Sequence, residues 1–206
     1  MKLTSGQITL LITSVLATAV IVFSNRQPSS SPEPAEQVEH TVTEADVKIE
    51  KALRIINGGG QPMEGILMLK ELADAEEPNY DAVFLLGQLS IKSGQLEKAV
   101  ERFTQVLEHN PNHIDATWEL AMLNMNMGDL EDAVARFEYC IDKDQSFVNG
   151  YFFVGQCLEA MGQKDNALHA YKTYLPLAPD SAVSKSVEAI INRLEVGATR
   201  ANDVNP

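Results

Sequence analysis

Basic side chains are scarce: 16 Lys and Arg stand against 29 Asp and Glu, a formal net charge of −13. Phosphate binding needs clustered cations that displace counterions, so this balance argues against a nucleic-acid partner. No block of like charge is long enough to form a tail, and the acids read as a solvated surface. Cysteine is nearly absent, with two residues and no Cys-x-x-Cys pair, and the chain has neither a Gly-rich phosphate loop nor a nucleophile elbow. The four histidines, His40, His109, His113 and His169, are scattered without metal-type spacing to cysteines or carboxylates. His109 and His113 would share a helix face only if one helix ran through Pro111, which proline opposes. No catalytic motif therefore stands out, and the chain is expected to be no enzyme, with no cofactor, metal or small-molecule substrate.

What is present is enough for a core, since 45% of the 206 residues are hydrophobic, fitting one domain plus attachments. From Leu3 to Asn25 no residue is charged. A helix over that run would reach about 34 Å, enough to cross a hydrocarbon core of about 30 Å. Residues 1–25 are thus expected to form a transmembrane anchor. The alternative is a cleaved signal peptide. Its small-x-small site, Ala17-Thr18-Ala19, is followed by the apolar "VIVF", which favours the anchor, although a cut near Ser24 stays open. Lys2 precedes the run and Arg26 follows it, ahead of Glu33, Glu36 and Glu39. The positive-inside rule then leaves the amino terminus cytoplasmic and the bulk of the protein on the outer, periplasmic face, by a margin of one charge. A cytoplasmic domain is the alternative.

Residues 26–43, rich in Pro, Ser and Glu, read as a disordered linker.

Beyond the linker, "GQLEKAVERF" at Gly94–Phe103 returns as "GDLEDAVARF" at Gly128–Phe137 and as "GQKDNALHAY" at Gly162–Tyr171, 34 residues apart each time. Counting from Tyr80, Ile114 and Val148 aligns the columns. Position 8 holds Gly87, Ala121 and Gly155; position 15 holds Gly94, Gly128 and Gly162; position 20 holds Ala99, Ala133 and Ala167. Position 24 holds Phe103, Phe137 and Tyr171, and position 32 holds Pro111 and Pro179 with Gln145 between them. The apolar spacing on either side of the position-15 glycine is helical, so each unit is a helical hairpin. Asp129 is placed to cap the second helix of its unit.

These columns resemble the tetratricopeptide repeat, TPR, over Tyr80–Asp180. The resemblance implies an all-α solenoid, a right-handed superhelix of helical hairpins, with repeats at 80–113, 114–147 and 148–180. Residues 44–79 read as a degenerate first repeat, in which Gly60 and Gly65 lie 34 residues before Gly94 and Ala99 while Leu69 replaces the aromatic. Residues 181–197 place Val183, Val187, Ile190, Ile191 and Leu194 on one face of a capping helix, with Ser181 as N-cap and Gly197 as stop. Residues 198–206 are expected to fray.

In the TPR family the first helices line a concave groove, with positions 2, 5, 9 and 12 facing it. Here those positions hold Asp81, Phe84, Gln88 and Ile91, then Asp115, Trp118, Met122 and Met125, then Asn149, Phe152, Gln156 and Glu159. Phe84, Trp118 and Phe152 form an aromatic column, suited to an interface centre or to packing against one another. The Lys, Asn and Arg clamp that some TPR domains use on a terminal carboxylate is absent. The implied ligand is therefore an apolar or amphipathic segment of another protein, with Asp81, Asp115 and Glu159 favouring basic flanks. Cys140 and Cys157 are two small core residues, or a disulfide if the domain is exported.

The resemblance and the anchor together imply a membrane-tethered scaffold or adaptor. Anchored members of the family assist envelope assembly, secretion machinery or cytochrome c maturation. A structural homo-oligomer and an import receptor with a cytosolic domain are the alternatives.

Overall fold

A computed structural model describes residues 42–59, 61–178 and 182–203, which all belong to one compact unit, 42–206. Nine helices occupy them: α1 (Glu44–Asn57), α2 (Pro62–Ala73), α3 (Tyr80–Lys92), α4 (Leu96–His109), α5 (Ile114–Met127), α6 (Leu130–Lys143), α7 (Asn149–Ala160), α8 (Lys164–Tyr174) and α9 (Ala182–Asp203). No strand occurs among the described residues, and each helix packs mainly on its neighbours in the chain. The unit is an all-α series of four hairpins, α1/α2 to α7/α8, closed by α9. Among the described residues no helix is long and apolar enough to cross a membrane; the uncharged run 3–25 and the linker up to residue 41 lie outside them.

The apolar interior is divided by junction. Ala52 and Leu69 meet Ala82 and Leu86 between the first two hairpins. Phe103 and Val106 meet Ala116, Leu120 and Leu123 at the next junction. Ala121, Ala133 and Phe137 meet Val154, Cys157 and Ala170 at the third, and Tyr171 and Tyr174 meet Val187, Ile191 and Leu194 beneath α9. Buried surface thus lies between units, as a stack of nearest neighbours requires.

The turn inside each hairpin is the same from the second to the fourth. Gly94, Gly128 and Gly162 sit at φ 74°, 90° and 77°, and the next residue donates its N–H to a carbonyl five residues back: Gln95 to Ser90, Asp129 to Asn124, Gln163 to Leu158. This is the left-handed helix terminus that glycine adopts without a Cβ penalty. In the first hairpin the left-handed residue is Gly59 at φ 75°, one position before the expected Gly60, which lies outside the described residues.

The turn also explains a correction at Asp129. Its ψ is 66°, and its side chain makes no capping hydrogen bond. Gln95 and Gln163, held by the same turn, have ψ 65° and 64° and make none either. Side-chain caps occur where the chain enters a helix extended. Thr43 (ψ 165°) forms a capping box with Asp46, Asn79 (ψ 110°) accepts from Ala82 N–H, and His113 (ψ 94°) accepts from Ala116 N–H.

At the carboxyl end, α9 continues through Gly197 to Asp203, where a stop and a frayed tail were expected. A single glycine costs a helix interior only about 1 kcal/mol relative to Ala, and residues 198–203 supply no proline to end it. The expected Ser181 cap and the Pro179 column lie outside the described residues.

Candidate functional site

The first helices of the second to fourth hairpins, α3, α5 and α7, carry the expected groove positions. Asp81, Asp115, Asn149 and Gln156 are exposed there. The aromatic column is half-buried. Phe84 lies 5.4 Å from the Phe103 ring and 5.0 Å from His113. Trp118 lies 5.1 Å from Phe137, 5.0 Å from Phe147 and 5.7 Å from Phe153. Phe152 lies 5.5 Å from Phe153 and 5.7 Å from Tyr174. Each member is therefore partly exposed and packs against the position-24 aromatic or its neighbours. Ile91, Met122 and Met125 are also half-buried against the junction cores.

Two polar groove residues are engaged within the protein. Gln88 Nε2 donates to Glu119 Oε1 at 3.0 Å, tying α3 to α5. Glu159 receives Arg193 of α9 at 2.7 Å and the Tyr171 hydroxyl at 3.3 Å. The expected use of Glu159 to favour basic flanks on a ligand is thereby corrected: its carboxylate already fastens the capping helix to α7. Burial, with the Glu159 charge adding to it, pushes the Tyr171 hydroxyl far above the usual phenol range, so it remains a donor.

Cys140 and Cys157 are both buried free thiols, not a disulfide. Cys140 Sγ lies 3.6 Å from the Ile114 carbonyl, and Cys157 packs in the cluster around Phe137. Burial, then the nearby Asp115 carboxylate, raises the Cys140 thiol to about 11, with Arg136 opposing; burial raises Cys157 as well.

One feature escaped sequence reasoning. Two adjoining clefts open beside the second helix α6: one of about 480 Å³ lies between α6 and α8 over α7, and one of about 590 Å³ lies between α6, the α6–α7 connection and Leu177, just beyond α8. Leu177 at one end was the available signal, since the residues 34 and 68 positions earlier in its column are Lys143 and His109.

Family models described as tetratricopeptide repeat match residues 90–144 and 119–182, together reaching from the end of α3 to the start of α9. The chain carries tetratricopeptide repeats over these residues. No curated protein matches it. Among solved structures the chain is similar to MamA AMB-1, with TM-score 0.64 and 19% identity over 79% of this chain and 86% of that one. It is also similar to MamA from Desulfovibrio magneticus RS-1, residue 41 to the end, with TM-score 0.62 and 18% identity over 77% and 97%. At that identity the likeness concerns the fold. A TPR array is, in general terms, a scaffold for protein–protein interaction.

Proposed function

We propose that this protein holds an apolar or amphipathic segment of a partner protein against the groove face of α3, α5 and α7. One observation carries the reading: the half-buried Phe84, Trp118 and Phe152 recur at the repeat period, each three residues after the exposed Asp81, Asp115 and Asn149 on the same helices. An apolar strip with a polar, partly acidic rim suits a segment that buries apolar side chains and carries basic flanks. The uncharged run Leu3–Asn25 supports a tether to a membrane, and the charges around it support a repeat domain on the outer face. In that position the protein would act as an adaptor in envelope protein assembly.

The test is site-specific photo-crosslinking of the full chain in its native host, with the reactive residue at Asp115 and a control at the exposed Glu101 of α4. A dominant partner captured from Asp115 and absent from Glu101 is expected. Self-crosslinks alone would replace the adaptor with a structural oligomer, and equal capture from both positions would remove the groove.

A further inference from the structure

The two clefts beside α6 lie on another side of the molecule from the groove. Around α7, the cleft residues Tyr151, Val154 and Leu158 are turned by roughly 160° from Asn149, Phe152 and Gln156, at about 100° per residue. Both clefts share Glu138, Ile141 and Tyr151, so they form one trough. Its floor is apolar, made by Ile141, Tyr151, Val154 and Leu158. Leu177, 52% exposed, extends that floor beyond α8.

The rims differ. On α6, Glu138 and Asp142 stand one turn apart, and like charges at that spacing repel. Lys143, 3.7 Å from Asp142 and 5.4 Å over the Tyr139 ring, gives Asp142 a loose, exposed ion pair. The α8 rim carries the polar side chains Asn166, His169 and Thr173. A cation set between Glu138 and Asp142 would relieve the repulsion, and an apolar face would cover the floor.

We infer that this trough is a second docking surface, taking one amphipathic helix of a partner protein whose apolar stripe is flanked by Lys or Arg on the α6 side. A helix is favoured over an extended segment because the trough is built from helices, whose backbone groups are already paired within them. An extended chain would bring unpaired N–H and C=O groups onto an apolar floor, whereas a helix satisfies its own. The span from Asn166 to Thr173 is about 10 Å at 1.5 Å per residue, enough for two helical turns. The acidic rim selects the sign of the partner's flank and speeds its encounter.

A stapled, dye-labelled peptide with leucines at i, i+4 and i+7 and lysines along one side is the probe, with a twin bearing glutamates for the lysines. Fluorescence anisotropy with the full chain should show the lysine peptide bound more tightly. Reversing both rim charges, Glu138→Lys with Asp142→Lys, should weaken it by about tenfold or more and favour the glutamate twin. Both sites are exposed, and circular dichroism checks that the fold is kept. Asp115→Lys, in the groove, should leave the peptide's affinity unchanged. The proposal is overturned if neither peptide binds, if the twins bind alike, or if Asp115→Lys weakens binding while the rim reversal does not. The groove itself is judged separately, by crosslinking at Asp115.

Discussion

Gly87 faces the Phe103 ring so closely that a Cβ built on it would lie 2.6 Å from Phe103 Cε1. Gly155 meets Tyr171 at the same 2.6 Å, while the third repeat carries Ala121 at this column. The fold thus accepts a methyl group there only where the ring opposite is seated to suit it. Gly87→Ala should lower stability by about 1 to 3 kcal/mol through overpacking, despite its better helix propensity. Urea unfolding monitored by circular dichroism measures this; an unchanged midpoint would show that Phe103 can shift freely.

Glu159 joins α7, the Tyr171 hydroxyl and Arg193 of α9. Glu159→Ala leaves a buried phenol without its acceptor and should cost about 1 to 3 kcal/mol. Arg193→Ala removes only a half-exposed ion pair, 62% exposed on the arginine side, and should cost below about 1 kcal/mol. Equal losses in denaturation would contradict this division.

His113 caps α5 through Nδ1, accepting from Ala116 N–H at 3.2 Å, while its ring stacks on Phe84. His113→Ala should destabilise by about 1 kcal/mol, and His113→Asn should recover part of that because it restores a capping acceptor. Chemical denaturation of the pair decides it: no recovery with Asn would assign the loss to stacking.

Trp118→Ala should cost about 3 to 5 kcal/mol, because the indole packs against three phenylalanine rings. Asp115→Lys, exposed on the same helix, should leave thermal stability nearly unchanged. Partner capture lost with Asp115→Lys therefore reports on binding, whereas the same loss with Trp118→Ala mixes binding with stability.

Stability should fall in alkali. The Cys140 thiol is raised from an ordinary 9.0 to about 11, and burial raises Cys157 and Tyr171 too. Between those values the unfolded chain has released the Cys140 proton and the folded chain retains it, so fewer protons are bound on unfolding. The contribution is complete below pH 9 and is lost as pH rises towards 11. Denaturation midpoints from pH 8 to 10.5 should decline, and Cys140→Ala should flatten the decline. A flat wild-type profile would refute it.

Much of the fold was legible because period and residue type agreed. Gly94, Gly128 and Gly162 mark the turns, and Phe103, Phe137 and Tyr171 mark the buried side of the second helices. What the pattern could not convey was the tilt of a side chain shared between two units. Phe84, Trp118 and Phe152 recur like ligand contacts, yet each also packs inside a junction, and spacing alone cannot apportion a ring between the two roles. Asp129 has the residue type of a cap, but after the left-handed glycine its backbone sits at ψ 66° and its side chain makes no capping hydrogen bond. Glu159 is engaged by Arg193, one full 34-residue period later, in the capping helix that follows the last repeat.

A core cut into junction-sized pieces has a consequence for descent. Because Phe103 answers to α5 and Phe137 to α7, copying or deleting one 34-residue unit would create or remove a junction without disturbing the rest. The length of such a protein can change by whole repeats, and what must stay in place is the lid: α9 fits the last unit through Arg193 and Val187, so new units are admitted only upstream of it.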